Sequence, residues 1–163
     1  ILVDPDPFSQ QILINKGSED QVFIGQPVLD SHGLMGQVID VLPYSSRVLL
    51  IADSNHAIPV EVNRNGVRAI AVGSGSLNEL ELIYVPDTAD IKEGDLLVSS
   101  GLGGRYPRGY PVAEVSKVEH IPGEAFALVT AEPSANLDRS RHMLLVFNKN
   151  AANVPPKSLW GTE

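Results

Sequence analysis

The feature that most restricts the fold is a succession of short apolar runs separated by Gly, Pro, Asn, Asp and Ser. The runs are rich in Val, Ile and Leu, which favour strands, and the residues between them favour turns. The chain has 163 residues, including 14 Gly and 12 Pro. No segment keeps the apolar period of a helix over three turns. The pattern therefore predicts an all-β protein, either a sandwich or a barrel.

Twelve runs are predicted as strands, at 11–14, 22–24, 27–29, 34–41, 47–51, 58–62, 68–72, 80–85, 96–99, 112–120, 125–131 and 142–147. Their grouping predicts two six-stranded β-barrels, the second inserted before the last strand of the first. The first barrel then comprises residues 1–57 and 132–148, and the second comprises 58–131. Residues 149–163 are polar and are expected to form a flexible tail.

An internal similarity bears on this division. The stretches 25–38 and 94–104 share a Gly, a polar residue, a short strand, a Ser turn and then Gly-Leu-X-Gly. Two homologous barrels would produce this similarity, and so would two generic hairpins. The sequence leaves both origins open.

Charge and composition narrow the function classes. The net charge is −8 and the 12 Lys and Arg residues are dispersed, which argues against binding to nucleic acid or to an anionic bilayer. The absence of cysteine excludes disulfides, thiolate zinc sites and cysteine nucleophiles. No apolar run approaches the roughly 20 residues of a membrane helix. Because the first residue is Ile1, not Met, we expect a fragment of a longer protein whose anchor lies outside it.

The stretch "GDLLVSSGLGGRYPRGYPVAEV", residues 94–115, most resembles a functional site. A nucleophile elbow needs a glycine two residues before and two residues after the serine. Neither Ser99 nor Ser100 meets this requirement. A phosphate-binding G-x-G-x-x-G loop is excluded because Tyr106 occupies the place of the third glycine and no helix pattern follows.

The histidines do not indicate a metal or cofactor site. They lie far apart, with no pair at a spacing of four, at His32, His56, His120 and His142. Only His56 lies in a polar loop that resembles a site. The acidic stretch 87–95 lacks the alternating oxygen ligands of a calcium loop. The sequence therefore predicts no catalytic residue, no cofactor and no metal.

Two interpretations remain for the 101–110 connection. Its glycines and prolines are typical of a turn with a fixed shape. Tyr and Arg are enriched at interface hot spots, and the connection carries Arg105, Tyr106, Arg108 and Tyr110 close together. We hypothesise that these four residues form a contact surface. A structural turn whose tyrosines cap the barrel explains the same residues equally well.

The same stretch carries a family resemblance. "IKEGDLLVSSGLGGRYPRGYPVAEVSKV" resembles the signature of MreC, the rod shape-determining protein C family of bacteria. The segments "INKGSEDQVFIGQPVLDSHGLMGQVIDV", "SSRVLLIADSNHAIPVEVNRNGVRAIAVGSG" and "VTAEPSANLDRSRHMLLVF" follow the family order. The resemblance spans about residues 1–148. It departs locally at Gln21, Ser99 and Ala113, where the family often has Gly, Thr and Gly.

The resemblance implies a non-enzymatic scaffold of the cell-wall elongation complex (elongasome), which builds peptidoglycan along the sides of rod-shaped cells. The implied fold is a chymotrypsin-like double barrel without a catalytic triad, on the periplasmic face of the inner membrane. The implied partners are other copies of the protein, the elongation penicillin-binding transpeptidase, MreD, RodA and, indirectly, MreB.

Two other function classes stay open from the residues themselves. A serine hydrolase of chymotrypsin-like fold would use Ser99 or Ser100. A glycan-binding module would need aromatic rings for the sugar faces, and the single Trp and 6% aromatic content disfavour it.

Overall fold

The chain forms antiparallel β-sheets over the residues described by the computed structural model, which are 2–3, 10–137 and 143–145. Two short 3₁₀ turns, Ser18–Asp20 and Leu102–Gly104, are the helical elements of this part. The prediction of an all-β protein is confirmed. The predicted tail, 149–163, lies outside the described residues.

The first sheet has six strands, and its neighbouring strands are all antiparallel. The order across the sheet is β1-β2-β5-β4-β3-β12, with strands numbered along the chain. Their bounds are β1 Leu2–Val3, β2 Gln11–Ile14, β3 Pro27–Leu29, β4 Leu34–Val41, β5 Ser46–Leu50 and β12 Leu144–Leu145. The last strand therefore returns to this sheet after the rest of the chain has formed the second one.

The first sheet is open where the sequence predicts a closed barrel. Its edge strands, β1 and β12, are 2 residues long each. No pairing joins these two edges within the described residues. Closing a barrel requires a continuous ladder between the first and last strands. The described chain therefore contains one closed barrel and one open sheet.

The second sheet is a closed barrel, as the sequence predicts for this part of the chain. Its strands follow the order β10-β11-β8-β7-β6-β9, and β9 pairs with β10 to complete the ring. Their bounds are β6 Ala57–Val62, β7 Arg68–Gly73, β8 Leu80–Ile83, β9 Leu96–Ser99, β10 Pro111–Glu119 and β11 Leu128–Pro133. A closed ring leaves no free sheet edge.

Strand alternation explains how the barrel is filled. In β8, Leu80 and Leu82 are buried while Glu81 is exposed. In β7, Ala69 and Ala71 are buried at the corresponding inward positions. Successive side chains of a strand point to opposite faces, so these inward residues fill the barrel.

The open sheet and the barrel share one hydrophobic core, which includes Val48 from β5 and Val60 from β6. Hydrogen bonds also cross the junction, such as Gly75 N–H to the Ala52 carbonyl at 2.8 Å. At Gly33 the two parts approach so closely that a Cβ would lie 2.7 Å from the Pro111 carbonyl oxygen. Only glycine fits there without displacing the barrel backbone.

One predicted strand, 22–24, is wrong. The chain instead makes the 3₁₀ turn at Ser18–Asp20, and Gln21 then adopts a left-handed conformation with φ of 67°. Val22 is buried and Ile24 is 68% exposed. This apolar run therefore lies in a turn and does not pair with a neighbouring strand. The resembled family often has Gly at position 21, and this left-handed backbone conformation explains that preference. Strand β1 was not predicted.

Candidate interaction site in the Gly101–Tyr110 connection

The connection between β9 and β10 follows a path that depends on glycine. Gly101, Gly103, Gly104 and Gly109 all have positive φ angles, between 73° and 97°. Residues with a Cβ rarely adopt these angles. The glycine pattern of the sequence therefore specifies the shape of this loop and does not cradle a phosphate.

Ser99, the last residue of β9, fixes the loop from inside. Its side chain is fully buried, and Oγ donates to the Pro107 carbonyl at 2.5 Å. The same Oγ accepts a hydrogen bond from Tyr110 N–H at 3.0 Å. Because a threonine hydroxyl would make the same two bonds, this role agrees with the frequent Thr at this position in the resembled family. The geometry disfavours Ser99 as a nucleophile.

The other serine of the pair is also engaged. Ser100 Oγ accepts a hydrogen bond from Leu102 N–H at 3.2 Å. Among the described residues, the one serine–histidine hydrogen bond joins the neighbours Ser31 and His32 in an exposed hairpin, at 3.2 Å. In the described ranges no histidine forms a hydrogen bond with Ser99 or Ser100, so neither hydroxyl has the histidine base of a serine nucleophile there.

Tyr106 is buried, with 3% of its surface exposed. Its hydroxyl lies 2.6 Å from Nε2 of His56, in the turn that precedes β6. The two rings meet edge to face, with centroids 5.8 Å apart. The sequence groups Tyr106 with the contact residues, but in this conformation it packs inside and offers no surface.

The surroundings of this pair keep both groups neutral. Burial, helped by the Arg105 charge, lowers the pKa of His56 to about 4, although Asp53 opposes the change. Burial raises the pKa of the Tyr106 hydroxyl, while the Arg105 charge lowers it. The second ring nitrogen of His56, Nδ1, is buried without a hydrogen-bond partner in the described chain. His56 is therefore a neutral, packed histidine at pH 7.

The two arginines of the connection differ in what they contact. Arg105 donates from Nη2 to Oε1 of Gln37 on β4, at 3.1 Å, and so connects the barrel loop to the open sheet. Arg108 forms an ion pair with Glu61 of β6 at 3.0 Å, and its side chain is 71% exposed. The two guanidinium groups therefore serve different parts of the molecule.

The four residues predicted as a contact surface do not form one exposed patch. Arg105 and Arg108 are exposed, Tyr110 is half-buried against the core, and Tyr106 is buried. The connection instead contacts the open sheet through Arg105–Gln37, and packs Tyr106 against His56 in the turn between β5 and β6. Sequence reasoning singled out His56 by its polar loop but missed its partner. Nothing in the sequence indicates that Gln37 contacts this loop, because Gln37 is a polar residue within a largely apolar strand.

The described residues show neither a metal-binding cluster nor a membrane-spanning helix. Within residues 2–3, 10–137 and 143–145 there is no group of three His, Asp or Glu side chains suited to a metal ion. The same ranges hold no helix whose length and apolar character would let it cross a membrane.

Comparison with known proteins places this geometry in a family. The family model of the rod shape-determining protein MreC, barrel core, matches residues 1–147. The cell shape-determining protein MreC of Escherichia coli (strain K12) is 48% identical over 150 residues, which cover 91% of this chain and 41% of that protein. The chain thus spans less than half the length of this relative.

Solved structures agree. The crystal structure of MreC from Pseudomonas aeruginosa is 65% identical, with a TM-score of 0.89, covering 90% of this chain and 95% of that one. Two more distant structures share the fold. One is the major periplasmic domain of the cell shape-determining filament MreC, in its orthorhombic form, which is 23% identical with a TM-score of 0.68 and covers 83% of this chain and 84% of that one.

The other is the complex between penicillin-binding protein PBP2 and MreC from Helicobacter pylori. It is 21% identical with a TM-score of 0.61, and the match covers 88% of this chain and 90% of that one. The match of a family model along almost the whole chain, together with close relatives in sequence and structure, identifies the chain as a member of the MreC family of rod shape-determining proteins.

Proposed function

We propose that this chain is a non-enzymatic scaffold domain of the cell-wall elongation complex, and that it maintains rod shape by binding other proteins. The observation that carries the proposal is membership of a family of shape-determining proteins. The buried, hydrogen-bonded Ser99 supports it, because the most prominent serine of the chain serves to shape a loop.

The elongation transpeptidase is the first partner that we propose. The support is the Helicobacter pylori complex, in which an MreC of the same fold is bound to PBP2. Self-association is the second proposal, supported by the description of a related periplasmic domain as part of a filament. MreD, RodA and, indirectly, MreB are proposed as further partners on the family resemblance alone.

The proposed location is the periplasmic face of the inner membrane, with anchoring through a part of the protein outside this chain. The proposed domain division is 1–57 plus 132–148 for the first unit and 58–131 for the second. A chymotrypsin-like double barrel stays part of the proposal, and it requires a pairing between the two edges of the first sheet.

The predicted contact residues are Arg105, Tyr106, Arg108 and Tyr110. The proposed contacts with a partner are made by the two exposed arginines, and the two tyrosines support the loop that carries them.

Binding to the purified periplasmic domain of the elongation transpeptidase tests the central proposal. We expect saturable binding with a dissociation constant on the order of micromolar, as is usual for transient contacts. The heat-unfolded chain is the control for non-specific adhesion. A folded chain that does not bind at concentrations on the order of 100 µM would contradict the transpeptidase proposal.

A fluorophosphonate probe tests the non-enzymatic part. We expect no labelling of the folded chain, because the Ser99 hydroxyl is enclosed and already bonded twice. Labelling that disappears in a Ser99→Ala or Ser100→Ala variant would show an activated serine and overturn this part of the proposal.

A further inference from the structure

A shallow depression lies where the open sheet meets the Gly101–Tyr110 connection. Its volume is about 480 Å³, and one side is formed by the barrel loop and the other by β4 and the turn before β3. Its lining includes Phe23, Ile24, Gly25, Gln37, Ile39 and Arg105. Both structural units therefore contribute to one concave surface.

Most of this surface is apolar and open to water. Ile24 is 68% exposed and Ile39 is 36% exposed. Both line the depression together with Gly104 of the barrel loop. Exposed apolar side chains that line a concave surface together lose contact with water when a partner covers them. The isoleucines thus favour an aliphatic or aromatic group in the bound partner.

The depression contains one charged side chain, Arg105, among its lining residues. In the described chain its hydrogen-bond partner is the uncharged Gln37 side chain, at 3.1 Å, and it forms no ion pair there with a carboxylate. Gln37 is itself held, since it is buried and its Nε2 donates to the Gly25 carbonyl at 3.0 Å. The guanidinium is therefore positioned, and most of its five N–H donors stay available.

The position of this cation differs from that of the other exposed arginine of the loop. Arg108 is neutralised by Glu61 at 3.0 Å. Arg105 keeps its charge beside apolar groups, in a chain whose net charge is −8. An arginine in this setting binds a carboxylate by charge-assisted hydrogen bonds, in a bidentate arrangement where geometry allows.

We propose that the depression is a docking site for an extended segment of a partner protein that carries an Asp or Glu side chain beside a bulky aliphatic one. The carboxylate accepts hydrogen bonds from Arg105, and the aliphatic group covers Ile24 and Ile39. A nucleic acid does not fit, because one cation on an acidic chain gives little attraction for a phosphate backbone. This site goes beyond the proposed function, since it holds whether or not the transpeptidase is the partner.

Two tripeptides test the chemistry with the 163-residue chain. They are acetyl-Leu-Glu-Leu-amide and acetyl-Leu-Gln-Leu-amide, titrated while backbone amide resonances are followed by NMR. We expect the Glu peptide to shift the amides of Ile24, Gly25 and Ile39, and to bind about tenfold more tightly than the Gln peptide. Equal affinity, shifts confined to other parts of the chain, or no binding of either peptide would overturn the proposal.

Variants separate the contribution of the Arg105 charge to peptide affinity from that of the apolar side chains. Arg105→Gln should abolish the preference for the Glu peptide, whereas Arg105→Lys should retain part of it. Ile24→Ser should weaken both peptides. The matched control is Arg68→Gln, which removes an exposed arginine at the start of β7, outside the depression, and should change neither affinity.

The native amide spectrum of each variant serves as the check on folding. An Arg68→Gln variant that loses the Glu preference as fully as Arg105→Gln would contradict the assignment. The solution mass of the chain tests whether a second copy occupies the site instead. A concentration-dependent dimer that Arg105→Gln dissociates would overturn the choice of partner.

Discussion

The closed barrel and the open sheet reach stability by different routes. Each of the six barrel strands, β6 to β11, has two hydrogen-bonded neighbours, so the barrel has no free edge. The open sheet ends in β1 and β12, which are not paired with each other in the described part of the chain. A sheet with free edges gains much of its stability from the face that it packs. We infer that the sheet depends on the barrel more than the barrel depends on the sheet.

The Gly101–Tyr110 connection matters for this inference because it belongs to the barrel and contacts the open sheet. It packs Tyr106 against His56, in the turn between β5 and β6, and brings Arg105 to Gln37 of the open sheet. Its own shape is fixed from within by Ser99. The comparison therefore predicts that damage to this connection affects the sheet first, and that changes on its outer side have little effect.

The largest expected effect is that of Tyr106→Ala. Removing a buried aromatic ring leaves a cavity and takes away the partner of His56, so the free energy of unfolding should fall by about 3–5 kcal/mol. Urea denaturation followed by circular dichroism measures it. The control is Tyr44→Ala, since Tyr44 is 75% exposed and its loss should cost about 0.5 kcal/mol or less. Equal losses in the two variants would contradict the packed role of Tyr106.

The next effect is a dependence of stability on pH through His56. Burial and the Arg105 charge lower its pKa from the ordinary 6.5 to about 4 in the folded chain. Between these values the unfolded chain binds more protons, so stability falls as the pH drops from about 6.5 to about 4, by up to about 3 kcal/mol. Below the folded pKa the contribution of His56 has been lost in full.

The test compares the wild-type chain with His56→Gln by urea denaturation between about pH 7 and pH 4.5. The variant should be less stable at pH 7 and should lose less stability on acidification. His32→Gln, in an exposed hairpin, is the control for removing a histidine. A His56→Gln curve parallel to that of the wild type would show that His56 does not carry this dependence.

The smallest expected effect is that of Arg108→Ala on the outer side of the connection. The ion pair with Glu61 has a 71% exposed arginine, so its loss should cost less than about 1 kcal/mol. A double-mutant cycle with Glu61→Gln isolates the pair. A coupling energy above about 2 kcal/mol would mean that this side of the loop also determines stability.

Much of the fold follows from the sequence because strand signals are local. Apolar alternation and turn residues predicted the barrel strands: the strand predicted at 80–85 is observed as Leu80–Ile83, and the one predicted at 96–99 is observed as Leu96–Ser99. Closure is not local, since it depends on which strands reach one another. This is why the open first sheet was predicted as a barrel. The run at 22–24 failed because Gln21 adopts a left-handed conformation that side chains seldom favour.

The site was less predictable than the fold. Arg105 and Tyr106 are neighbours in the sequence and were predicted to share one contact surface. In the structure Arg105 is exposed and Tyr106 is buried. Tyr106 turns inward to His56, 50 positions away along the chain. Such a contact depends on how distant parts of the chain pack, and residue type alone does not encode it. The sequence therefore located the important loop but not the direction of its side chains.

Native-state hydrogen exchange of the wild-type chain and of Arg105→Gln shows whether the open sheet depends on this connection. The variant loses the guanidinium that donates to Gln37 of β4. We expect faster exchange of the amides in β4 and β5, while those in β7 and β8 keep their protection. An equal loss of protection in all four strands, or a loss confined to the barrel, would contradict the claim that the open sheet depends on this connection.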